Sequence, residues 1–287
     1  MNADKIRIAG VSRGNEFSPN HVGNDAAIFN LVASELEKLG CQVEVYTEKD
    51  FVEQAIAADY IFDMARDRKT IARLKELEDQ GAVVVNSGYG IDNCIRKQMT
   101  ELLVAKGVPH PQSYIVDTHE AFGPEVFPCW IKRGNSHAMV KEDVVFVESK
   151  EEAERVMADF RNRGIPEAVV NEHLVGDLVK FYGILDTDFF YTFYPTEQSH
   201  SKFGLEAING ASRGYPFDVK LLQEYSNCAA RALNVPIYGG DCVVSADGQI
   251  RIIDFNDWPS FARCRDAAAP YMAQCIYERI KEKINHE

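Results

Sequence analysis

Short apolar runs and segments of helical periodicity alternate along the first 90 residues. Four apolar runs predict strands, at 6–11, 43–46, 60–64 and 82–86. Three amphipathic segments predict helices between them, at 25–39, 51–58 and 69–80. This alternation is typical of a doubly wound α/β domain with a mostly parallel sheet, in which ligands bind at the carboxyl ends of strands. The polar loop 12–25, which contains Arg13, follows the first strand and is therefore expected to contact an anion or a substrate.

After residue 90 the order of predicted elements changes, and strands follow one another more often. Helices are predicted at 91–106, 149–163 and 219–233, and from about residue 267. Strands are predicted at 126–132, 143–148, 168–173, 178–185 and 189–194. The last two form a hairpin, and a further hairpin spans 239–260. Runs of strands mixed with separate helices favour an α+β organisation for this part of the chain.

The hairpin at 239–260 sets acidic side chains against each other. A two-residue turn at Asp247–Gly248 predicts that Asp241 lies directly opposite Asp254, with Asn256 on the same face. Two carboxylates about 5 Å apart repel by roughly 3 kcal/mol at an effective dielectric of ~20. Solvated polar residues on an edge hairpin are the simpler interpretation. The second strand is apolar, however, so burial favours a cation between the carboxylates, and oxygen ligands of this kind suit Mg²⁺ or Mn²⁺.

Composition and charge narrow the function classes. The chain has 287 residues, 46% of them hydrophobic and 26% charged, which is ordinary for a globular enzyme. A net charge of −13 argues against non-specific binding to nucleic acid. No apolar run approaches the ~20 residues of a membrane span, and no secretion signal is expected at the N-terminus. Seven scattered cysteines fit reduced thiols, so we expect a cytoplasmic protein without a membrane partner.

Several other polar residues stand where they could carry chemistry. Lys132 ends an apolar strand before a polar loop and could reach a phosphate. Glu172 and Asp177 flank a glycine-containing turn, and Lys180 lies within an apolar run. Arg213 is a cation in a flexible segment before a helix. Each also has an ordinary structural interpretation as a turn, strand-end or loop residue.

Together these positions resemble the ATP-grasp superfamily along most of the chain. The most specific match is Asp241 followed by Ile253-Asp-Phe-Asn-Asp-Trp-Pro259, which is similar to the family's metal signature. The resemblance implies an N-terminal pre-ATP-grasp domain over 1–90 and two lobes over 91–175 and 176–287 that clamp ATP. It implies Mg²⁺ (or Mn²⁺) on Asp241, Asp254 and Asn256. The nucleotide contacts that it implies are Lys97, Lys132, Glu172, Leu174, Asp177 and Lys180.

The resemblance also suggests where a substrate binds. The loop after Lys132 has one glycine where many members have several, and its Ser136-His-Ala-Met139 is similar to an element of inositol 1,3,4-trisphosphate 5/6-kinases. In those kinases the histidine lies near the substrate. The general layout is closer to that of the glutamate-ligase-like members. The substrate contacts expected on these grounds are Arg13, His137, Asn209, Arg213, Arg263 and Arg265.

Three functions remain open from the sequence. In the first, a carboxylate–amine ligase forms an acyl phosphate, with Lys132, Lys180 and Arg213 stabilising the transferred phosphoryl group. In the second, a kinase phosphorylates a hydroxyl of an inositol-phosphate-like polyol. The third is a non-catalytic, nucleotide-binding regulatory protein. The expected partner is a small acidic substrate, and homodimers are common in the family that the chain resembles.

Overall fold

The computed structural model describes residues 5–17, 22–195, 208 and 210–286, which form three four-stranded sheets with helices packed around them. The first sheet is parallel and has the order β2-β1-β3-β4. Its strands are β1 (Arg7–Ser12), β2 (Gln42–Thr47), β3 (Tyr60–Asp63) and β4 (Val83–Val85). Neighbouring residues along these strands face opposite sides of the sheet, and each side has its own apolar core.

The second and third sheets are antiparallel. The second has the order β5-β8-β6-β7. Its strands are β5 (Ser113–Asp117), β6 (Cys129–Arg133), β7 (Val144–Val147) and β8 (Glu167–Glu172). The third has the order β10-β9-β11-β12. Its strands are β9 (Asp177–Ile184), β10 (Phe190–Phe193), β11 (Ile237–Val244) and β12 (Ile250–Asp257).

Among the described residues, α-helices cover the faces of these sheets. Five lie in the first part of the chain: α1 (Val22–Lys38), α2 (Glu48–Glu53), α3 (Arg68–Asp79), α4 (Gly88–Asn93) and α5 (Arg96–Ala105). Three follow: α6 (Lys150–Asn162), α7 (Val219–Leu233) and α8 (Arg265–His286). Although α8 is the last element, it packs against α1 and shares the hydrophobic core of the first sheet. None of the helices in the described ranges has the length and apolar character needed to cross a membrane.

Several local predictions differ from the structure. The predicted helix 91–106 is divided into α4 and α5, because Ile95 takes an extended conformation (φ −62°, ψ 133°) and starts the second helix. The helix predicted at 51–58 begins at Glu48, where the side chain of Thr47 caps it, and ends before Ala55, whose φ is +50°. Strand β5 was not predicted, because it is an edge strand with a weak apolar pattern.

Two buried side chains tie the first sheet to the third. Asn86, which follows β4, donates from Nδ2 to the carbonyl of Ile237 at 2.7 Å and accepts from the amide of Ile237 at 3.0 Å. Arg13, which follows β1, donates to the carbonyl of Trp258 at 3.0 Å. These bonds hold β11 and the end of β12 against the carboxyl edge of the parallel sheet.

Candidate functional site

A cleft of about 1330 Å³ is lined by strand residues of the second and third sheets and by segments that follow strands of the first sheet. We call it the central cleft. Ten of the side chains proposed from the sequence line it: Arg13, Lys132, His137, Glu172, Leu174, Lys180, Asp241, Asp254, Asn256 and Arg263. Four others do not: Lys97, Asp177, Arg213 and Arg265. Asn209 lies outside the described residues.

The predicted opposition of Asp241 and Asp254 is confirmed, although the turn differs from the prediction. Ser245 pairs with Gln249 through the Ser245 amide, so the turn has three residues, 246–248, and Gly248 takes a φ of +79°. That turn alone would shift the register by one residue. A bulge between Asp241 and Cys242 leaves Ile253 as the extra residue of β12 and restores the Asp241–Asp254 pairing.

The acidic end of the central cleft offers hard oxygen donors. Asp241 lies between Lys180 on β9 and Asp254 on β12, and Lys180 Nζ is 3.1 Å from both of its carboxylate oxygens. Asn256 follows two residues after Asp254 on the same strand face. In the part of the chain that the structure describes, no three His, Cys, Asp or Glu side chains form a metal cluster. A metal here therefore depends on two carboxylates and the Asn256 amide, a donor set that fits Mg²⁺ or Mn²⁺.

The side chain of Lys132 links the second sheet to the third. This side chain, at the end of β6, is buried and donates to the carbonyl of Ile253, the bulged residue, at 3.2 Å. Burial, with a further contribution from the charge of Arg96, lowers the pKa of Lys132 to about 8. Asp254 and Asp241 act in the opposite direction.

Arg96, rather than its neighbour Lys97, faces the central cleft. Arg96 is 8% exposed, and its Nη2 lies 3.8 Å from Asp254, while its Nε and Nη1 are buried without a hydrogen-bond partner among the described residues. Lys97 instead pairs with Glu167 at 2.5 Å, away from the cleft. The sequence contains a signal for this difference, because Arg96 shares a helix face with buried Met99 and Leu103 at spacings of three and seven.

His137 reaches into the central cleft from the loop that follows β6. Its Nε2 is buried and has no hydrogen-bond partner within the described ranges. Burial lowers the pKa of His137 to about 4, and the nearby cations Arg66 and Arg96 act in the same direction. The imidazole is therefore neutral at physiological pH.

Charges at the end of the cleft nearest the parallel sheet are matched in pairs. Arg13 bonds Asp25 at 3.0 Å, and Arg68 bonds Asp92 at 3.1 Å. Arg66 donates to the carboxylate of Asp257, a residue that is 1% exposed. Arg66 and Asp257 were not proposed from the sequence, since nothing in their local pattern shows that residues so far apart meet.

Several of the proposed residues have structural partners. Asp177 is buried and accepts from the backbone amides of Arg213 at 2.7 Å and Tyr215 at 2.8 Å. The guanidinium of Arg213 is exposed and donates to the hydroxyl of Tyr215 at 3.0 Å, so its catalytic role stays a prediction. Glu172 accepts from the amide of Gln112 at 2.8 Å and from Arg251 at 3.0 Å.

The two arginines that follow the acidic hairpin differ in position. Arg263 lines the central cleft and stacks over the ring of Phe193, with 4.7 Å between the guanidinium carbon and the ring centroid. Arg265 lies at the start of α8 and donates to Asn24 at 2.6 Å. Asn24 itself lines the cleft. Arg265 therefore contacts the cleft wall through Asn24 and does not line the cleft itself.

The part of the central cleft that lies between the second and third sheets, away from the parallel sheet, is apolar. We call it the apolar slot, and its walls come from the second and third sheets and the connection between them. They are Trp130, Val144, Leu174, Leu178, Val243 and Ile253. Trp130 is held in place by a hydrogen bond from its Nε1 to His173 at 3.2 Å and by the ring of Phe146, 5.2 Å away. A flat apolar ligand group fits such a slot.

Comparison with known proteins gives matches at the level of structure. Neither a protein-family model nor a curated protein matches the sequence. The D-alanine–D-alanine ligase of Bacillus anthracis, in complex with ATP, superposes with a TM-score of 0.69 and 16% identity over 98% of this chain and 100% of that chain. D-alanyl-alanine synthetase A of Vibrio cholerae gives 0.67, with 12% identity over 96% of this chain and 99% of that chain. The VanG D-Ala:D-Ser ligase of Enterococcus faecalis gives 0.66, with 14% identity over 98% and 100%.

Identities of this size establish the fold and leave the activity to the residues of the site. The coverage extends over nearly the whole of each chain, so the three sheets correspond as a set. The chain has the ATP-grasp fold that the D-alanine–D-alanine ligases share.

Proposed function

We propose that this protein is an ATP- and Mg²⁺-dependent carboxylate–amine ligase that acts through an acyl phosphate. The observation that carries the proposal is the order of groups along one cleft: the apolar slot, then the buried cations, then Asp241, Asp254 and Asn256, which we call the acidic row. A nucleotide has the same order of base, phosphates and metal-binding oxygens. The ligases that share the fold, one of them bound to ATP, add support.

The buried cations would hold the phosphates. Lys132 donates to the carbonyl of Ile253 in the wall of the apolar slot, Arg96 lies 3.8 Å from Asp254, and Lys180 lies beside Asp241. Asp241, Asp254 and Asn256 would hold the metal ion, which neutralises phosphate charge when bound. Arg96 takes the place that the sequence suggested for Lys97, because only Arg96 lines the cleft.

The chemistry then needs no nucleophile from the protein. An oxygen of the substrate carboxylate attacks the γ-phosphorus, and the bond to the bridging oxygen breaks to release ADP. The amine next attacks the acyl carbon, the carbon–oxygen bond to phosphate breaks, and inorganic phosphate leaves as the amine loses a proton. Lys132 and Arg96 would orient the reactants and balance the charge that develops.

The pairing of arginines with carboxylates at the end of the cleft nearest the parallel sheet favours the ligase over the kinase. Arg13, Arg66 and Arg68 each already bond a carboxylate at the end of the cleft nearest the parallel sheet, where the acceptor would bind. A phosphorylated polyol needs a surplus of cations, whereas a small acid and an amine do not. The kinase stays a second candidate because His137, in the element that resembles those kinases, lines the cleft.

Hydroxylamine separates these functions. The purified protein is incubated with Mg²⁺, ATP, hydroxylamine and a panel of carboxylic acids that includes D-alanine. An acyl phosphate is trapped as a hydroxamate, detected by mass spectrometry together with ADP. Phosphorylation of a polyol without hydroxamate would establish the kinase. Nucleotide binding without any stimulated ADP release would favour the regulatory protein.

The lowered pKa of Lys132 predicts how nucleotide affinity depends on pH. Lys132 holds phosphate only when protonated, so affinity is full below its pKa of about 8 and is lost as the pH rises above it. We expect the Kd for Mg·ATP to rise about tenfold between pH 7 and pH 9. The measurement is calorimetric titration across this range. Lys132→Arg, which stays charged, should flatten the dependence, and a flat wild-type profile would contradict the prediction.

A further inference from the structure

The imidazole of His137 lies between two groups of charges in the central cleft. Burial lowers its pKa most, and the cations Arg66 and Arg96 lower it further, whereas the carboxylates of Asp257 and Asp254 raise it. Arg66 and Asp257 pair with each other at the end of the cleft nearest the parallel sheet. Arg96 lies 3.8 Å from Asp254, at the acidic row. Because such effects weaken with distance, His137 is near both ends of the reaction path.

The loop that carries His137 is tied down on both sides of it. On one side, the amide of Gly134 donates to the carbonyl of Glu167 at 2.9 Å. On the other side, the buried carboxylate of Asp143 accepts from the amide of Met139 at 2.7 Å and from the next amide at 3.2 Å. The position of the imidazole is therefore set by the protein before any ligand binds.

The Nε2 atom of His137 is suited to accept a proton from a ligand. It is buried and has no hydrogen-bond partner among the described residues. A neutral imidazole with its hydrogen on Nδ1 offers the lone pair of Nε2 as an acceptor. Asp25 and Asp257, by contrast, already bond arginines. Within the described ranges, His137 is the one imidazole that lines the cleft.

We propose that His137 carries a proton in the second half of the ligase reaction, from the nitrogen of the attacking amine to the oxygen of the leaving phosphate. As the carbon–nitrogen bond forms, the nitrogen becomes positively charged, and Nε2 takes one of its protons. The carbon–oxygen bond to phosphate then breaks, its electron pair stays on the phosphate oxygen, and the imidazolium gives the proton to that oxygen. The products are the amide and hydrogen phosphate, and the imidazole is neutral again.

The two half-reactions differ in their need for this relay. A pKa of about 4 makes the imidazolium acidic enough to release its proton to phosphate as soon as the bond breaks. Formation of the acyl phosphate needs no relay, because the attacking carboxylate is already ionised. The inference rests on the proposed function, to which it adds a catalytic residue for the second half-reaction only.

Separate measurement of the two half-reactions tests the proposal. The first is followed without amine, with Mg·ATP and the acid found in the hydroxylamine experiment, as exchange of ¹⁸O between the bridging and non-bridging positions of ATP. The second is followed as hydroxamate formation with hydroxylamine as the nucleophile. His137→Gln should leave the exchange within about threefold and lower hydroxamate formation by about 10²- to 10³-fold. Its thermal unfolding should stay near that of the wild type.

Two further variants distinguish proton transfer from a structural role. In His137→Gly, imidazole added to the buffer should raise hydroxamate formation by at least about tenfold, because it replaces the missing base. His119→Gln makes the same chemical change as His137→Gln in an exposed turn, where His119 bonds Asp117 at 3.2 Å. It is the matched control and should leave both half-reactions unchanged.

The outcomes distinguish the inference from the proposed function. A wild-type protein that gives neither exchange nor hydroxamate with any acid would overturn the proposed function and the inference together. Normal hydroxamate formation in His137→Gln would overturn the inference alone. Equal loss of both half-reactions in that variant, or no effect of imidazole on His137→Gly, would also overturn it, because His137 would then act on the nucleotide or on the fold.

Discussion

Asp254→Asn should lower turnover by at least about 10³-fold, which corresponds to roughly 4 kcal/mol in the activation barrier. Asp254 faces Asp241 across the hairpin, and the change removes one of the two charges of the row while it keeps the shape of the side chain. The fold should stay intact, since the side chain is 31% exposed and the amide occupies the same space. The measurements are ADP release with the acid found in the hydroxylamine experiment and Mn²⁺ binding by electron paramagnetic resonance.

A matched control lies in the same hairpin. Asp247→Asn makes the same chemical change at the exposed turn, where Asp247 bonds Ser245 and Gln249. Its turnover and Mn²⁺ affinity should equal those of the wild type. Retention of near-normal turnover and Mn²⁺ binding in Asp254→Asn would remove the basis for a metal at the acidic row.

Arg96→Met should weaken nucleotide binding strongly and Lys97→Met should hardly change it, although the residues are neighbours. Loss of the Arg96 guanidinium should raise the Kd for Mg·ATP by about 30- to 100-fold, as a charge-assisted hydrogen bond to phosphate is worth roughly 2–3 kcal/mol. The same change should leave the free energy of unfolding equal or higher, because it removes buried donors that have no partner among the described residues. Lys97→Met should change the Kd by less than about threefold, since it only breaks a partly exposed ion pair with Glu167.

The combination of weaker binding and undiminished stability is what identifies a ligand role for Arg96. A general loss of structure would lower both quantities. If Lys97→Met weakened ATP while Arg96→Met did not, the assignment made from the sequence would be correct and the positions of these side chains would have to change on binding.

The acidic hairpin illustrates how far the sequence alone could go. Strand side chains alternate with a period of two, so the turn position was enough to predict that Asp241 faces Asp254. The predicted turn was one residue too short, and the bulge at Ile253 compensates for it. The bulge could not be predicted, since it depends on packing in the assembled sheet. It also turns the carbonyl of Ile253 to Lys132.

The choice between Lys97 and Arg96 as the cation that contacts the nucleotide shows a different limit of prediction from sequence. Lys97 matched the family by residue type, whereas the face of α5 that is buried carries Arg96. The extended conformation of Ile95 sets where that helix starts. The prediction of one continuous helix over 91–106 missed this interruption. Helical periodicity within 96–103 contained the answer, but which face of the helix meets the cleft depends on the sheets around it.

The pattern of residues along the chain was therefore enough to predict most of the strands and helices and the facing carboxylates, and it carried the resemblance to the ATP-grasp superfamily. These features depend on residues close in sequence, where backbone periodicity relates position to direction. Tertiary structure alone decided the apolar slot and the pairing of Arg66 with Asp257. Each of these joins strands or loops far apart in the chain, and only the packed sheets bring their side chains within hydrogen-bonding or van der Waals distance.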